Sequence, residues 1–264
     1  MKYPDDFINK IILGDCLEVM KDIPNESVDF VITSPPYDKI RKYKGYFINL
    51  FDLGVEISRV LKFGGVCVLV IQDQTVDWSK TLTSFRTIVN WCDNTELNLF
   101  ECCIYRRGGT PGAWWSKRFR VDHEYIPIFV KGNKPNNFDK SHMKIISKQF
   151  GEKKKGKERK TDGSFTKYEY NSSRYPRLKC SGTVLDYESS RASDKSLKLE
   201  HPAWFPSKLA SDFILCFSKV EDLILDPMCG SGTSLLESKK NNRNFIGIDI
   251  SEDYCKLSKE RIGL

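Results

Sequence analysis

Short apolar runs rich in β-branched residues recur along this chain and alternate with stretches that have the spacing of helices. The runs Val28 to Thr33, Val66 to Ile71 and Phe245 to Ile248 each have the length of a buried strand. Helical spacing follows Pro206, and another stretch of it runs from Phe47 to Leu61 ahead of two glycines. Strands that alternate with helices predict a mostly parallel, doubly wound α/β sheet.

The alternation stops in a basic middle segment. Between about Gly132 and Leu199 the apolar residues thin out and no helical or strand period persists. Residues 131–200 hold 18 Lys and Arg against 9 Asp and Glu, whereas the whole chain carries a net charge of only +7. Such a segment is typical of a surface that binds a polyanion, although a solvated insertion has the same composition. We therefore predict a main domain from residues 1–132 and 200–264, and a substrate-facing insertion over residues 133–199.

Composition argues against several classes of protein. The longest uncharged run, Phe63 to Gln72, has about half of the roughly 20 apolar residues that a membrane-spanning helix needs. The first residues lack the apolar core of a signal peptide, so we expect a cytoplasmic protein. Nine cysteines without a CxxC pair, together with only three histidines, indicate neither a disulfide framework nor a metal site.

A glycine turn lies in the last fifth of the sequence. Asp226 and Pro227 follow an apolar run, and the chain passes through Gly230 and Gly232 into a helical stretch. Glycines at such a turn let the backbone approach a ligand, and a following strand ends at Asp249, where a carboxylate commonly binds ribose hydroxyls. The pattern predicts a nucleoside-bearing cofactor, but it lacks both the GxGxxG of NAD enzymes and the GxxxxGK[ST] of phosphate loops. Taken alone, the motif also fits an ordinary tight turn.

A second motif, Thr33, Ser34, Pro35, Pro36 and Tyr37, ends the strand that begins at residue 28. Open α/β sheets bind their ligands at such strand ends. Because proline has no N–H, carbonyl groups here can point into a cleft beside the serine hydroxyl, and both can accept hydrogen bonds from an exocyclic amino group. The tyrosine ring offers a face on which a nucleobase can stack. A plain rigid turn is the alternative for this motif alone.

Together the two motifs resemble the amino-methylating DNA methyltransferases of the S-adenosylmethionine-dependent superfamily. The resemblance extends to Leu13 to Asp15, to His123 to Tyr125 and to His201 to Pro206, and it covers most of the chain outside residues 133–199. Because the catalytic motif precedes the cofactor loop, the order resembles the permuted β class. The resemblance implies a Rossmann-like methyltransferase fold, S-adenosylmethionine as cofactor, duplex DNA as substrate and a target-recognition role for the basic insertion.

The resemblance also implies a role for each matching residue. Asp226, Gly230 and Gly232 would shape the pocket for the methionine part, Asp249 would bind the ribose, and Asp15 would lie near the adenine. One departure is the pair Met228 and Cys229, where many relatives carry an aromatic residue first. The residues implied in catalysis are Ser34, Pro35, Pro36 and Tyr37. The residues implied in cofactor binding are Asp15, Thr33, Phe205, Pro206, Lys208, Asp226, Pro227, Gly230, Gly232, Thr233, Asp249 and Ile250.

The sequence favours one reaction and leaves others open. A base flipped out of the duplex would stack on Tyr37, and Ser34 with the Pro35 carbonyl would orient its amino group for direct methyl transfer. Serine at the first position resembles cytosine-N4 enzymes, with adenine N6 as the alternative. An inactive DNA-binding module, an RNA methyltransferase and an oxidoreductase are further alternatives.

The sequence says less about the binding partners and oligomeric state of the protein. The loop from Arg106 to Trp115 is a second candidate for contact with the opened duplex, with a strand-connecting loop as its alternative. We expect a prokaryotic or phage-like, nucleoid-associated protein. A partner restriction endonuclease and the choice between a monomer and a homodimer stay open.

Overall fold

In a computed structural model the chain divides into two units, which consist of Met1–Asp139 with Thr183–Leu264, and of Lys140–Gly182. Residues 133–139 and 183–187, which the sequence analysis placed with the insertion, thus belong to the larger unit. The structure describes residues 1–36, 48–107, 117–119, 121–147, 153–171, 177–187 and 206–264.

Fourteen strands occur in the described part of the chain. They are β1 Lys10–Leu13, β2 Val28–Thr33, β3 Leu61–Leu69, β4 Thr75–Val76, β5 Ser79–Lys80, β6 Leu97–Arg107, β7 His123–Lys131, β8 Lys144–Ile146, β9 Lys153–Arg159, β10 Phe165–Asn171, β11 Leu178–Cys180, β12 Val184–Tyr187, β13 Leu223–Asp226 and β14 Asn244–Asp249. The helices are α1 Cys16–Val19, α2 Leu50–Val60, α3 Thr83–Asn94, α4 Ser207–Phe217, α5 Thr233–Lys240 and α6 Glu252–Ile262, with a short 3-10 turn at Met20–Asp22.

Eight of these strands form the central sheet of the larger unit, in the order β1, β14, β13, β2, β3, β7, β6, β12. All neighbouring pairs are parallel except those that β7 makes with β3 and β6. The predicted mostly parallel α/β sheet is therefore confirmed. None of the described helices combines the length and apolar character needed to cross a membrane.

Helix α2 ends one residue earlier than the sequence predicted, because Leu61 already pairs with Val28 as the first residue of β3. The strand continues through Gly64, which has a φ of +75°, and the pairing register of β2 and β3 shifts just after Val28. A glycine in this conformation accommodates such an irregularity without ending the strand.

The core lies on both faces of the central sheet. On one face, Leu53 and Ile57 of α2 pack with Trp91 of α3 and with Phe129 of β7, all fully buried. On the other face, a smaller cluster around Leu235 packs α5 and α6 on the sheet. Burial on both faces explains why the strands are continuous apolar runs rather than alternating ones.

Two antiparallel strand pairs make up the smaller unit, where the sequence predicted no regular period. β8 pairs with β11, and β9 pairs with β10 across the turn at residues 160–164. Asp162 accepts a hydrogen bond from the Ser164 N–H at 2.8 Å, and Gly163 has a φ of +84°. The strand period is hidden here because both faces of the β9 and β10 pair are exposed and charged residues occur on both.

Candidate active site

The two sequence motifs meet at one edge of the central sheet. β13 and β2 are parallel neighbours, with Leu225 opposite Val31, so their carboxyl ends place Asp226 beside Thr33. The chain leaves β13 toward β14 on one side and leaves β2 toward β3 on the other. This reversal is a topological switch point, where open α/β sheets form a crevice for ligands.

The loop after β13 requires glycine at the position where it packs most closely against α6. Gly232 has a φ of +74° and caps the N-terminus of α5, and a Cβ added there would lie 2.1 Å from Ser258 Oγ. Gly230 has a φ of +51°. The loop is fixed on β14 because the Cys229 N–H donates to the Ile248 carbonyl at 2.9 Å. Glycine at position 232 therefore lets the loop pack directly against α6.

Asp226 organises this loop from below. Its carboxylate is almost completely buried and accepts hydrogen bonds from the Ser234 hydroxyl and, at 3.1 Å, from the Met228 N–H. Burial raises the pKa of Asp226 to about 6, the hydrogen bonds act against this rise, and the nearby Asp249 adds to it.

Asp249 joins three segments at the carboxyl ends of β1, β13 and β14. Its two carboxylate oxygens accept from the Gly230 and Ser251 N–H groups, each at 2.8 Å, and its carbonyl accepts from the Gly14 N–H at 2.9 Å. Burial raises the pKa of this carboxyl as well. Each oxygen has a second lone pair, which can accept a hydrogen bond from a ribose hydroxyl.

The other predicted cofactor residues divide into two groups. Asp15 lies in the segment next to Asp249, where its carboxylate caps α1 by accepting from the Leu17 N–H at 2.9 Å. Pro227 and Thr233 are buried within the glycine loop, and the Thr233 hydroxyl accepts from Arg261 at 2.9 Å. These side chains hold the loops in place.

Ile250, Lys208 and Pro206, also predicted to bind the cofactor, lie outside the glycine loop. Ile250 is 46% exposed, and the Lys208 ammonium group is already paired with Asp212, one helical turn further along α4, at 2.8 Å. Pro206 is buried at the N-terminus of α4. Phe205 and Tyr37, the latter predicted to act in catalysis, lie outside the described residues.

The end of β2 places a buried hydroxyl beside the carboxylate that holds the glycine loop. Thr33 is fully buried, its carbonyl accepts from the Val70 N–H at 2.9 Å, and its hydroxyl lies close enough to the Asp226 carboxylate to lower the pKa of that group. Ser34 and Pro36 are partly buried, and Pro35 between them is buried. The Thr33 hydroxyl therefore links the end of β2 to the Asp226 carboxylate and, through it, to the glycine loop.

Sequence reasoning missed two buried polar residues at the end of β3, which neighbours β2. Gln72 donates to the His123 carbonyl and accepts from the Asp73 N–H at 2.7 Å, and Asp73 accepts from the Ser84 N–H at 2.8 Å. Both are about 5% exposed. The sequence did contain a signal for these two residues. Gln72 ends an uncharged run and Asp73 follows it directly, just as polar residues follow the apolar runs of β2 and β13.

Cysteine chemistry has no support at this site. Cys229 is buried in the glycine loop, where desolvation raises the pKa of its thiol well above the ordinary value. A nucleophilic cysteine needs the opposite shift, because the thiolate is the reactive form. Within the described ranges, no group of three or more His, Cys, Asp and Glu side chains is placed to hold a metal ion.

The sequence is similar to a family of known proteins. The N6/N4 methyltransferase family model, described as DNA methylase, matches residues 28–260. The orphan methyltransferase M.BamHII of Bacillus amyloliquefaciens is 33% identical over 252 residues, which cover 95% of this chain and 90% of that protein. The DNA adenine methyltransferase YhdJ of Escherichia coli K12 is 27% identical, with 96% and 82% of the two chains covered.

Solved structures share the fold. The cytosine-N4-specific PvuII DNA methyltransferase superposes with a TM-score of 0.71 at 21% identity, over 95% of this chain and 85% of that one. M1.HpyAVI, solved as a complex with SAM, superposes with a TM-score of 0.64 at 20% identity, over 96% and 98%. The predicted S-adenosylmethionine-dependent methyltransferase fold is therefore confirmed.

Proposed function

Because the chain belongs to the N6/N4 DNA methylase family and is an S-adenosylmethionine-dependent DNA methyltransferase, we propose that it methylates the exocyclic N4 of cytosine in duplex DNA. One observation carries this proposal. The segment Ser34 to Pro36 follows β2 at the sheet edge where the glycine loop follows β13, so both parts of an amino-methylating site adjoin.

The residues of the crevice fit this cofactor. Gly230 and Gly232 allow the loop backbone to turn at positive φ, and the Asp249 carboxylate keeps lone pairs for ribose hydroxyls. Asp226 keeps the glycine loop in shape through Ser234 and the Met228 N–H. When bound, S-adenosylmethionine supplies a methyl group that is activated by its sulfonium.

The chain itself orients the target amino group. In our proposal the Ser34 hydroxyl and the Pro35 carbonyl accept its two N–H bonds and hold the nitrogen lone pair in line with the bond that breaks. A nitrogen–carbon bond forms as the carbon–sulfur bond breaks, and the extra proton on the nitrogen then passes to water. Serine is too weak a base to remove that proton before attack, so orientation is its role. Tyr37 would stack on the flipped base.

The choice of base rests on Ser34. A hydroxyl and a carbonyl can accept from either amino group, so the assignment depends on serine at the first position, which resembles cytosine-N4 enzymes. The structural neighbour described as cytosine-N4-specific agrees with it. Adenine N6 is the second candidate, because one relative is described as a DNA adenine methyltransferase.

We further propose that the β9 and β10 pair of the smaller unit binds the DNA. Side chains alternate between the two faces of a strand, and directly opposed residues share a face. Among residues 155–159 and 165–169, the first face therefore carries four cations and one carboxylate, whereas the second carries a single carboxylate. The first face consists of Lys155, Lys157, Arg159, Phe165, Lys167 and Glu169, and the second of Gly156, Glu158, Thr166 and Tyr168.

The first face also holds an unfavourable pair in the free protein. Lys157 lies directly opposite Lys167, and like charges in this position destabilise a strand pair. A two-stranded ribbon fits the major groove, which is about 12 Å wide. Phosphates on either side of the groove would relieve the repulsion.

The test is methylation of mixed-sequence duplex DNA with labelled S-adenosylmethionine, followed by digestion to nucleosides and identification of the labelled product by mass. We expect N4-methylcytosine, and the Ser34→Ala variant should lose at least about 100-fold in rate while binding the cofactor normally. N6-methyladenine would overturn the base assignment. Cofactor binding without any DNA product would favour RNA or an inactive DNA-binding module.

A further inference from the structure

A small hairpin, formed by β4 and β5, projects from the edge that carries Ser34. It begins just after β3, whose exit is fixed to the catalytic strand by the hydrogen bond from the Val70 N–H to the Thr33 carbonyl at 2.9 Å. The base of the hairpin is fixed too, because the Thr81 N–H donates to the Gln74 carbonyl at 3.1 Å. The hairpin therefore has a defined position relative to the candidate active site.

The hairpin presents an aromatic residue at its tip. Asp77 and Trp78 form the two-residue turn, with φ of +45° and +66°. Turns of this kind favour Asn and Gly, and a bulky residue at positive φ is strained. Trp78 is nevertheless 59% exposed, so packing in the core does not account for the strained turn. Strain of this kind is typical of positions that act on a ligand.

Two cationic side chains lie at the hairpin. The Lys80 ammonium group donates to the Asp73 carbonyl at 3.2 Å, and the Arg118 guanidinium donates to the carbonyl of Trp78 itself. Asp77 is the acidic residue of the turn. Positive charge beside an exposed aromatic ring is the combination that binds nucleic acid through phosphate contacts and base stacking.

We propose that Trp78 enters the duplex and stacks where the target base has left it. This inference rests on the proposed function, because a base must leave the stack before its amino group can reach Ser34. From Gln74 to Val76 the strand spans about 7 Å at roughly 3.3 Å per residue, and the turn carries the Trp78 ring beyond its end. Apolar side chains that wedge into the stack in this way are known from other DNA-binding proteins.

The test uses a Trp78→Ala variant, a Trp78→Phe variant and two duplexes that contain the methylation site mapped from the labelled product. One duplex has the normal target pair and the other has a mismatch opposite the target base. Flipping costs least for a mismatched base, so the mismatch should replace the contribution of the ring. Phe63→Ala is the control, because Phe63 is 57% exposed near the opposite end of β3.

We expect Trp78→Ala to lose about 10- to 100-fold in kcat/KM on the paired duplex, as the loss of one stacking contact implies. On the mismatched duplex the loss should fall below about threefold, and Trp78→Phe and Phe63→Ala should stay near the wild type on both. Cofactor affinity should not change in any variant.

Two results would overturn the role of Trp78 alone. One is an equal loss on both duplexes, which indicates a structural effect, and the other is no loss on the paired duplex. If the wild-type protein instead gives no labelled product from DNA, no site can be mapped, and the proposed function is overturned together with this inference.

Discussion

At the scale of single residues, the glycine loop offers a direct test of the cofactor site. Gly232→Ala places a methyl group 2.1 Å from Ser258 Oγ at a φ of +74°. We expect the variant to lose about 2 to 4 kcal/mol of unfolding free energy and most of its affinity for S-adenosylmethionine, because the loop must move. Urea unfolding and a cofactor titration measure the two effects.

Gly263→Ala is the matched control for that variant. Gly263 has the same φ of +74° at the end of α6, but an added Cβ meets nothing within 4 Å. It should lose only about 1 kcal/mol and bind the cofactor normally. Equal losses of affinity in the two variants would show that the contact with Ser258 is irrelevant to the loop.

The buried Asp226 carboxyl predicts how the unfolding free energy changes with pH. Its pKa is raised from 3.8 to about 6 in the folded chain, so the folded state binds more protons than the unfolded state between these values. The unfolding free energy should therefore fall as the pH rises through this window, by up to about 3 kcal/mol, and stay level above it.

The isosteric variant Asp226→Asn isolates this effect. Its amide oxygen can still accept from the Met228 N–H, and its NH2 group can donate to Ser234, but it has no charge to lose or gain. Urea unfolding at several pH values between 4 and 8 should show that the stability difference between variant and wild type changes within the window. A constant difference would contradict the raised pKa.

At the scale of elements, the β9 and β10 pair separates direct DNA contact from general electrostatics. Lys167→Gln and Thr166→Glu change the net charge by the same amount, at adjacent positions on opposite faces. Lys167→Gln should weaken DNA binding. It should also make the negative slope of log K against log salt shallower by about 0.9, because one phosphate contact is lost. Thr166→Glu should leave that slope unchanged, as measured by fluorescence anisotropy over a salt series. Equal slopes in the two variants would reject the assigned face.

The elements also show what a sequence can and cannot reveal. The strands around Val31 and Ile246 were predictable because they are buried on both faces and read as continuous apolar runs. β12 was not, because only Leu185 and Tyr187 of its four residues are buried, as expected at a sheet edge. Its partner β6 lies about 80 residues earlier, and no local pattern encodes such a pairing.

The candidate site divides in the same way. Asp226, Asp249 and the glycines could be proposed from the sequence because their positions at strand ends fit a nucleoside cofactor and because the family resemblance implies a role for each. The pairing of Lys208 with Asp212 could not, although the two are four residues apart, because the Tyr187 hydroxyl from a distant strand also bonds that carboxylate at 3.0 Å. Trp78 was missed because exposed aromatic residues carry no periodic signal.

At the scale of the whole molecule, the site is assembled from both ends of the chain. The segment Ser34 to Pro36 and the Asp15 turn precede the smaller unit in sequence, whereas the glycine loop and Asp249 follow it. Since β13 inserts between β14 and β2, neither part of the chain completes the crevice alone. Cofactor binding must therefore couple to the folding of the larger unit as a whole.

This assembly predicts which amides each ligand protects in hydrogen exchange. S-adenosylmethionine at about 100 times its Kd should stabilise the larger unit by about 2.7 kcal/mol, and it should slow exchange of the Gly14, Gly230 and Ser251 amides together. These three N–H groups bond to Asp249 or its carbonyl, so they report on one site. Duplex DNA should instead slow exchange along β9 and β10. Protection of β9 and β10 by the cofactor alone would contradict the assignment of this strand pair to DNA binding.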